Sequence, residues 1–158
     1  MSASPLVTVL LPVWNGASLP LTAEREEPLR VAIRSLARQE AAPDAPVPGF
    51  EVLAVDDGST DGTAALLDAL AAEYPCLRVL HRPHEGLPGA LNAGLEAARG
   101  ALIARMDADD VCHPQRLALQ AAWMAEHPET GLLATRVHFG GDRETARGFA
   151  HFVDWQNG

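Results

Sequence analysis

The amino-acid sequence predicts a doubly wound α/β fold with a mostly parallel sheet. Short apolar runs alternate along the chain with segments of helical spacing, which is the pattern of such folds. Most of the apolar runs lack a polar face, as strands do when helices cover both sides of their sheet. A length of 158 residues is sufficient for one domain with a proper core.

Five apolar runs are predicted to be strands. The first is rich in β-branched residues and stops at Pro12, which cannot donate to a strand ladder. The second is closed by Asp56 and Asp57, and the fourth is closed by Asp107. The fifth alternates only weakly between apolar and polar residues. In chain order, the predicted strands are Leu6–Leu11, Phe50–Val55, Leu77–Leu80, Ala101–Met106 and Gly131–Phe139.

Four segments carry the signals of helices. Pro28 suits a first helical turn, and Ser59, Thr60 or Asp61 can cap the second helix. Gly100 stands where a C′ glycine would end the third helix. The predicted helices run from Pro28 to about Arg38 and over Asp61–Tyr74, Pro88–Arg99 and Pro114–His127. Loops are predicted over Ala17–Glu27, Ala41–Gly49 and His81–Gly86, and Gly140–Gly158 has no clear periodicity.

The charge balance limits the classes of partner. The formal net charge is −9, from 12 basic and 21 acidic residues. Non-specific binding to nucleic acid needs a basic surface, and so does docking on anionic lipid. We therefore expect neither partner. An acidic protein that binds phosphates needs a local source of positive charge, and a divalent cation is one such source.

Cysteine usage and hydropathy indicate the compartment. Cys76 and Cys112 lie far apart and have no spacing typical of a zinc site. We therefore expect free thiols and a cytoplasmic protein. Nothing resembles a signal peptide, and Leu6–Val13 is too short to span a bilayer, so no transmembrane segment is predicted.

Three carboxylates follow the fourth predicted strand. Asp107, Asp109 and Asp110 stand at the carboxyl end of that strand, where ligands usually bind in α/β sheets. Like charges so close together repel one another unless a cation lies between them or water reaches them all. The motif therefore favours a divalent metal beside a phosphorylated ligand.

Polar segments follow three of the predicted strands, at Pro12–Gly16, Asp56–Ser59 and Asp107–Asp110. Parallel strands bring their carboxyl ends to one edge of the sheet, so these segments are expected to share a crevice. Each segment also has a simpler interpretation, as a turn in the first case and as helix caps in the other two. Their occurrence at three strand ends together favours the crevice.

Five segments stand in a characteristic order: Val7–Gly16, Glu51–Thr63, Gly86–Leu95, Ala104–Asp110 and His113–Leu117. They cover nearly all of residues 6–120. Each is moderately specific, and the ordered set is very specific. The chain resembles the nucleotide-binding half of a family 2 glycosyltransferase, which has the Rossmann-like GT-A fold.

The resemblance implies a nucleotide-diphospho-sugar donor and assigns residues to its base. The segment formed by Pro12, Val13, Trp14 and Asn15 would line the nucleoside pocket, with the Trp14 ring near the base. Asp57 would accept a hydrogen bond from that base, which is typically uracil in the family.

The resemblance also implies residues for the ribose, the diphosphate and the metal. Asn92 would lie near the ribose or phosphates, and backbone amides of Gly86–Ala90 would contribute to anion binding. Asp107 and Asp109 match the family's DXD motif, and they would hold Mg²⁺ or Mn²⁺ with Asp110 nearby. The metal would neutralise the leaving diphosphate.

Two departures from the family pattern concern the donor site. Leu91 stands where many relatives have an arginine, so one phosphate contact is expected to be missing. Trp14 replaces the more usual tyrosine or phenylalanine.

A third departure concerns the catalytic base. Family 2 enzymes invert the anomeric centre with a carboxylate base well downstream of the DXD motif, and no Glu-Asp pair follows it here. We therefore expect residues 1–158 to be the donor-binding half of a longer domain, with the base and the acceptor half beyond it. The weak candidates for a base inside the chain are Asp142, Glu144, His151 and Asp154.

Three functions remain open from the sequence. The first is metal-dependent transfer of a sugar from a nucleotide-sugar to a carbohydrate or lipid-linked acceptor. The second is donor binding or scaffolding without turnover, with possible homo-oligomer formation through the face that the acceptor half would cover. The third is a haloacid-dehalogenase-like phosphatase, because Asp107–Val111 also fits the Asp-x-Asp-x-Val pattern, with Asp107 as nucleophile.

Overall fold

A computed structural model describes residues 5–18, 27–144 and 146–158 of the chain. The strands are β1 (Val7–Val13), β2 (Phe50–Asp57), β3 (Leu77–Arg82) and β4 (Leu102–Arg105). The helices are α1 (Pro28–Ala37), α2 (Thr63–Glu73), α3 (Gly86–Ala97), α4 (Arg116–Glu126) and α5 (Arg147–Gln156), and Gly16–Ser18 forms a single 3₁₀ turn. Most of the predicted loop Ala17–Glu27 lies outside the described residues.

The chain divides into two compact units, Met1–Ala125 and Glu126–Gly158. The first unit contains a sheet with strand order β3-β2-β1-β4, and all three pairings are parallel. Helices pack on both faces of this sheet, so the prediction of a doubly wound, parallel α/β fold is confirmed.

The two faces of the sheet are buried by different helices. Val9 and Leu11 point to the face covered by α1, α2 and α4, where most of the core lies. Leu10 points to the opposite face and packs against Ala90 of α3. Alternate residues of one strand are thus apolar on both sides, which explains the unbroken apolar runs in the sequence.

β1 continues past the proline that was predicted to stop it. Every second residue along this part of the chain, beginning at Leu6 just before β1, forms its hydrogen bonds toward β4. The carbonyl oxygen of Leu6 accepts from the Leu102 amide, and that of Leu10 accepts from the Met106 amide. Pro12 is the next residue in this series, and the ladder to β4 has ended there. The missing N–H of Pro12 therefore breaks no hydrogen bond of the ladder.

The second unit differs from the sequence prediction. No strand forms over residues 131–139 in the described part of the chain, and Leu132 is 87% exposed. The weak alternation of residues 131–139 supplies no continuous apolar face. Helix α5 forms instead in the segment that showed no clear periodicity, with Ala150 and Val153 buried one turn apart. The side-chain amide of Asn157 donates to the carbonyl of Val137, and its oxygen accepts from the Val137 amide.

A buried polar network joins the amino ends of the strands. The Thr8 hydroxyl donates to Oε1 of Glu51 at 2.8 Å, and Nε of Arg78 donates to Oε2 at 3.1 Å. The amide of Arg99 also donates to Glu51, at 2.9 Å. Burial raises the pKa of Glu51, but hydrogen bonds from Arg78, Thr8 and Arg99 outweigh it and hold that pKa below its usual value.

The predicted role of Gly100 is wrong in its mechanism. Helix α3 ends at Ala97, the backbone of the next residue, Ala98, is extended (ψ 144°), and Gly100 has no positive φ. Glycine is required there for space. A Cβ atom on Gly100 would lie 2.4 Å from the backbone nitrogen of Thr8 and 2.6 Å from the backbone carbon of Val7. The turn into β4 thus passes directly over the β1 backbone.

We expect Gly100→Ala to lower the free energy of unfolding by about 1–3 kcal/mol, because the new methyl group meets backbone that has no room to shift. Gly131→Ala is the matched control, since a Cβ atom there meets nothing within 4 Å. Urea denaturation of both variants measures the difference. Equal stability of Gly100→Ala and the wild type would contradict the close approach.

Candidate functional site

The carboxyl ends of the strands lie at one edge of the sheet. The chain runs from β1 outward to β2 and β3, and then returns to the other side of β1 with β4. The direction of winding therefore reverses between β1 and β4. Crevices at such reversal points are the usual ligand sites of doubly wound sheets. Trp14 and Asn15 follow one of these two strands, and Asp107 follows the other.

Hydrogen bonds join the polar ends of β1 and β2. The amide of Asn15 donates to the Ser59 hydroxyl at 2.9 Å, and the Asn15 side-chain oxygen accepts from the Thr60 amide at 2.8 Å. Asn15 has a left-handed backbone with φ 51°, which asparagine tolerates better than most residues. The amide of Ala17 donates to the Thr63 hydroxyl. The two strand ends therefore form one connected structure.

The predicted binding segment of β1 is exposed only in part. Pro12 and Val13 are buried, so their side chains belong to the core. Trp14 is 56% exposed and stacks on His84, with ring centroids 5.0 Å apart and planes at 25°. The Trp14 side chain and the nearby backbone are thus the parts of this segment that can reach a ligand.

Asp57 is buried and holds the segment before α3. One carboxylate oxygen accepts from the Glu85 amide at 3.0 Å, and the other accepts from the Gly86 amide at 2.8 Å. Nδ1 of His84 lies 2.8 Å from the carboxylate and 3.0 Å from the backbone oxygen of Asp57. A simpler interpretation from the sequence makes Asp57 a cap of the next helix, α2, but its carboxylate accepts the amides at the start of α3.

Gly58 allows the segment before α3 to approach β2. Its φ is 67°, and a Cβ atom there would lie 2.6 Å from the His84 backbone nitrogen. A side chain at this position would push away the loop that presents His84 to Trp14. Glycine is therefore needed both for its conformation and for the close contact.

The glycine-rich segment Gly86–Ala90 forms the first turn of α3. Helix α3 begins at Gly86, two residues before the predicted start, and Asn92 lies exposed in its middle. Of the backbone amides of Gly86–Ala90, which the resemblance offers for anion binding, that of Gly86 donates to the Asp57 carboxylate. The negative charge of the Asp57 carboxylate therefore compensates the partial positive charge at the N-terminus of α3.

His81 connects two carboxylates behind the crevice. Its Nδ1 lies 2.9 Å from Asp56 and its Nε2 lies 3.0 Å from Asp68. Hydrogen bonds with Asp56 and Asp68 raise the pKa of His81 above 6.5. Asp56 in turn accepts from the Ser59 amide at 3.1 Å, and so supports the residue that binds Asn15.

The acidic turn after β4 is partly exposed. Asp107 pairs with Arg105 at 2.5 Å, and its carbonyl accepts from the Asp110 amide at 3.2 Å. Desolvation raises the pKa of Asp110, and the charges of Asp107 and Asp109 raise it further, against the opposing effect of Arg105 and Arg116. The three carboxylates therefore repel one another, and a bound cation would relieve that repulsion.

The turn fits an open metal site better than a closed one. Among residues 5–18, 27–144 and 146–158, no three His, Cys, Asp or Glu side chains converge in the way that a closed metal site requires. Mg²⁺ is usually held by only one or two carboxylates together with substrate phosphates. The repulsion that Asp107 and Asp109 exert on Asp110 fits such a site, which a ligand would complete.

The four weak candidates for a catalytic base lie in the second unit. Asp154 of α5 pairs with Arg143, and Asp142 accepts a hydrogen bond from the Glu144 amide. His151 is exposed on α5. None of these observations marks one of the four as a base.

Two histidines at and after the end of β3 also belong to this edge of the sheet. His81 and His84 both contact the carboxylates at the end of β2, although neither was a predicted site residue. The sequence does carry a signal for this position, because β3 ends in polar residues, as β1, β2 and β4 do.

No helix in the described part of the chain is long and apolar enough to cross a membrane.

The family model for glycosyl transferase family 2 matches residues 8–156. The chain belongs to this family. It is 32% identical over 133 residues to the amylovoran biosynthesis glycosyltransferase AmsE of Erwinia amylovora, which covers 84% of this chain and 45% of that protein. The family resemblance predicted from the motifs is thereby confirmed.

Solved structures give the same fold. TarS of S. aureus in complex with UDP-GlcNAc is 27% identical with a TM-score of 0.61, over 77% of this chain and 32% of TarS. The mannosyltransferase PcManGT of Pyrobaculum calidifontis, in complex with GDP-Man and Mn²⁺, is 27% identical with a TM-score of 0.62, over 78% and 33% of the two chains. The chain spans less than half the length of the curated relatives that it matches.

We expect the stability that His81 contributes to depend on pH. The folded-state pKa is raised, so this contribution is complete below about pH 6.5 and is lost as the pH rises through the folded-state pKa. His81→Gln is therefore expected to lower the free energy of unfolding more at about pH 6 than at about pH 9. Urea denaturation at the two pH values measures this, with His138→Gln, an exposed histidine of the second unit, as control. An equal loss at both values would contradict the charged bridge.

Proposed function

We propose that this chain carries the donor site of a glycosyltransferase that uses a nucleotide-diphospho-sugar and a divalent cation. The observation that carries the proposal is the joined carboxyl edge of the sheet. There, Asn15 binds the end of β2, Asp57 binds the segment before α3, and the acidic turn follows β4. Family membership favours this function over the phosphatase alternative.

The base of the nucleotide is proposed to bind at Trp14, Asn15 and Asp57. Trp14 offers an exposed aromatic face beside the edge of the sheet. Oδ2 of Asp57 is engaged by the Gly86 amide and by His84, whereas Oδ1 accepts only the Glu85 amide and retains a lone pair for a further N–H, such as that of uracil. Pro12 and Val13 support this region from the core, and a uridine nucleotide is the favoured donor class.

The diphosphate is proposed to bind beside the acidic turn, with Asn92 of α3 near the ribose or phosphates. Asp107 and Asp109 are the proposed ligands of Mn²⁺ or Mg²⁺, and Asp110 lies close enough to add to their negative potential. When bound, the cation would neutralise charge that develops on the leaving diphosphate. A relative in complex with GDP-Man and Mn²⁺ supports this arrangement.

The transfer step itself is proposed to need a carboxylate base and an acceptor site in addition to the donor site. The sugar would be transferred with inversion to a carbohydrate or lipid-linked acceptor. This proposal is supported by the family resemblance, and the chain spans 45% of the length of the relative AmsE. The alternative is donor binding without turnover, and an assay of donor hydrolysis separates the two.

We expect the chain to bind UDP or UDP-GlcNAc in Mn²⁺ more tightly than in EDTA. Asp109→Asn is expected to weaken binding in Mn²⁺ by roughly ten-fold and to leave binding in EDTA unchanged, because it removes one charged ligand. Isothermal titration calorimetry measures both. GDP and GDP-Man serve as the competing donor class, and Asp44→Asn, an exposed aspartate on the 41–49 loop, serves as control. Failure of every nucleotide to bind the wild type would refute the proposed function.

A further inference from the structure

Arg105 lies beside the proposed metal ligands and has no assigned role. It is the last residue of β4, at the carboxyl edge of the sheet, and its side chain is 53% exposed. Its guanidinium makes one hydrogen bond in the described part of the chain, at 2.5 Å, to Asp107. Asp107, a proposed ligand of the metal ion, is therefore already paired with a positively charged side chain of the protein.

The backbone of Arg105 is fixed, whereas its side chain is not enclosed. Nη2 of Arg116 donates to the Arg105 carbonyl at 3.0 Å, and the next amide, of Met106, donates to Leu10 at 3.1 Å. The guanidinium thus has a fixed anchor point and an exposed path to new partners. An arginine side chain in this situation can exchange one anion for another at low cost, since both states are solvated.

Other guanidinium groups at this edge are held in place. Arg82 donates to the Gly89 carbonyl and pairs with Glu85. Arg116 donates to Arg105 and to Gln120. Arg105 is in register with Leu10, so it lies on the face of the sheet that α3 covers. On that helix, Leu91 packs into the apolar cluster and supplies no positive charge to the crevice.

A divalent cation and Arg105 compete for the Asp107 carboxylate. Two positive charges a few ångströms apart repel, so binding of the metal to Asp107 would weaken this ion pair and favour release of the guanidinium. Its five N–H donors would then need another anion, and the diphosphate held by the same metal would be the nearest one. Guanidinium groups bind phosphate oxygens in a bidentate manner.

We propose that Arg105 is an exchangeable counterion of the donor site: it neutralises Asp107 in the empty protein and contacts the donor diphosphate when the cation takes Asp107. This inference rests on the proposed function, whose donor site it refines. It assigns to β4 the phosphate contact that Leu91 does not make from α3.

The test distinguishes the contributions of Arg105 to the binding of the metal, of the phosphates and of the nucleoside. Calorimetric titrations compare the wild type with Arg105→Gln, using Mn²⁺ alone, UDP in Mn²⁺, and uridine in Mn²⁺. The variant should bind Mn²⁺ alone roughly two- to five-fold more tightly, because Asp107 has lost a competing partner. It should bind UDP in Mn²⁺ roughly ten-fold more weakly and uridine with unchanged affinity.

Two further variants make the result specific. Arg105→Lys keeps the charge without the planar fork and should recover part of the UDP affinity. Arg99→Gln removes the same residue type at the opposite end of β4, where the Arg99 backbone rather than its side chain binds Glu51. It should match the wild type in every titration. Unchanged melting temperatures without ligand confirm that all three arginine variants are folded.

The outcomes are distinguishable. UDP affinity equal to that of the wild type, or an equal loss for UDP and uridine, would overturn the phosphate contact. Weaker binding of Mn²⁺ alone would overturn the counterion role. If the wild type binds Mn²⁺ but neither UDP nor GDP, the proposed donor site fails, and this inference fails with it. GDP and guanosine replace UDP and uridine if the wild type prefers guanine.

Discussion

The parallel pairing of β1 with β2, from Val7 opposite Phe50 to Val13 opposite Asp56, is the constraint on which the rest of the structure depends. Both strands are apolar on both faces, so each must be covered by helices on two sides. Parallel strands also force every connection to cross from one edge of the sheet to the other. The connections at the carboxyl edge therefore begin together, and the polar residues after each strand are brought into one region.

Polar groups hold both edges of this pair. At the amino edge, Glu51 accepts hydrogen bonds from Thr8 and Arg78, and it fixes the turn that leads into β4. At the carboxyl edge, Asp56 and Asp57 are buried. Asp56 accepts the Ser59 amide, and Asp57 accepts the amides of Glu85 and Gly86. A buried carboxylate without such partners costs several kcal/mol, so these residues are structural as well as candidate functional groups. The exposed acidic turn after β4 is different, because its carboxylates have few partners and remain available to a ligand.

Sequence patterns were sufficient for the sheet but not for the second unit. The four strands of the sheet were predicted because a strand buried on both faces must be a continuous apolar run. Gly131–Phe139 was wrongly predicted as a strand, since its weak alternation supplies no continuous apolar face that could pack against a core. Helix α5 was missed because its buried residues, Ala150 and Val153, are few. The amphipathic pattern of a short helix is weak when its buried face is small.

The sequence by itself determined the family, the parallel α/β fold and the edge at which polar residues gather, because these follow from the order of motifs and from the rule that parallel strands end together. Only the tertiary structure decided which group binds which. It paired Asp57 with the segment before α3, Trp14 with His84, and Asp107 with Arg105. Such pairings depend on the exact positions of side chains in space, and two of these three join residues far apart in the chain, so no local pattern specifies them.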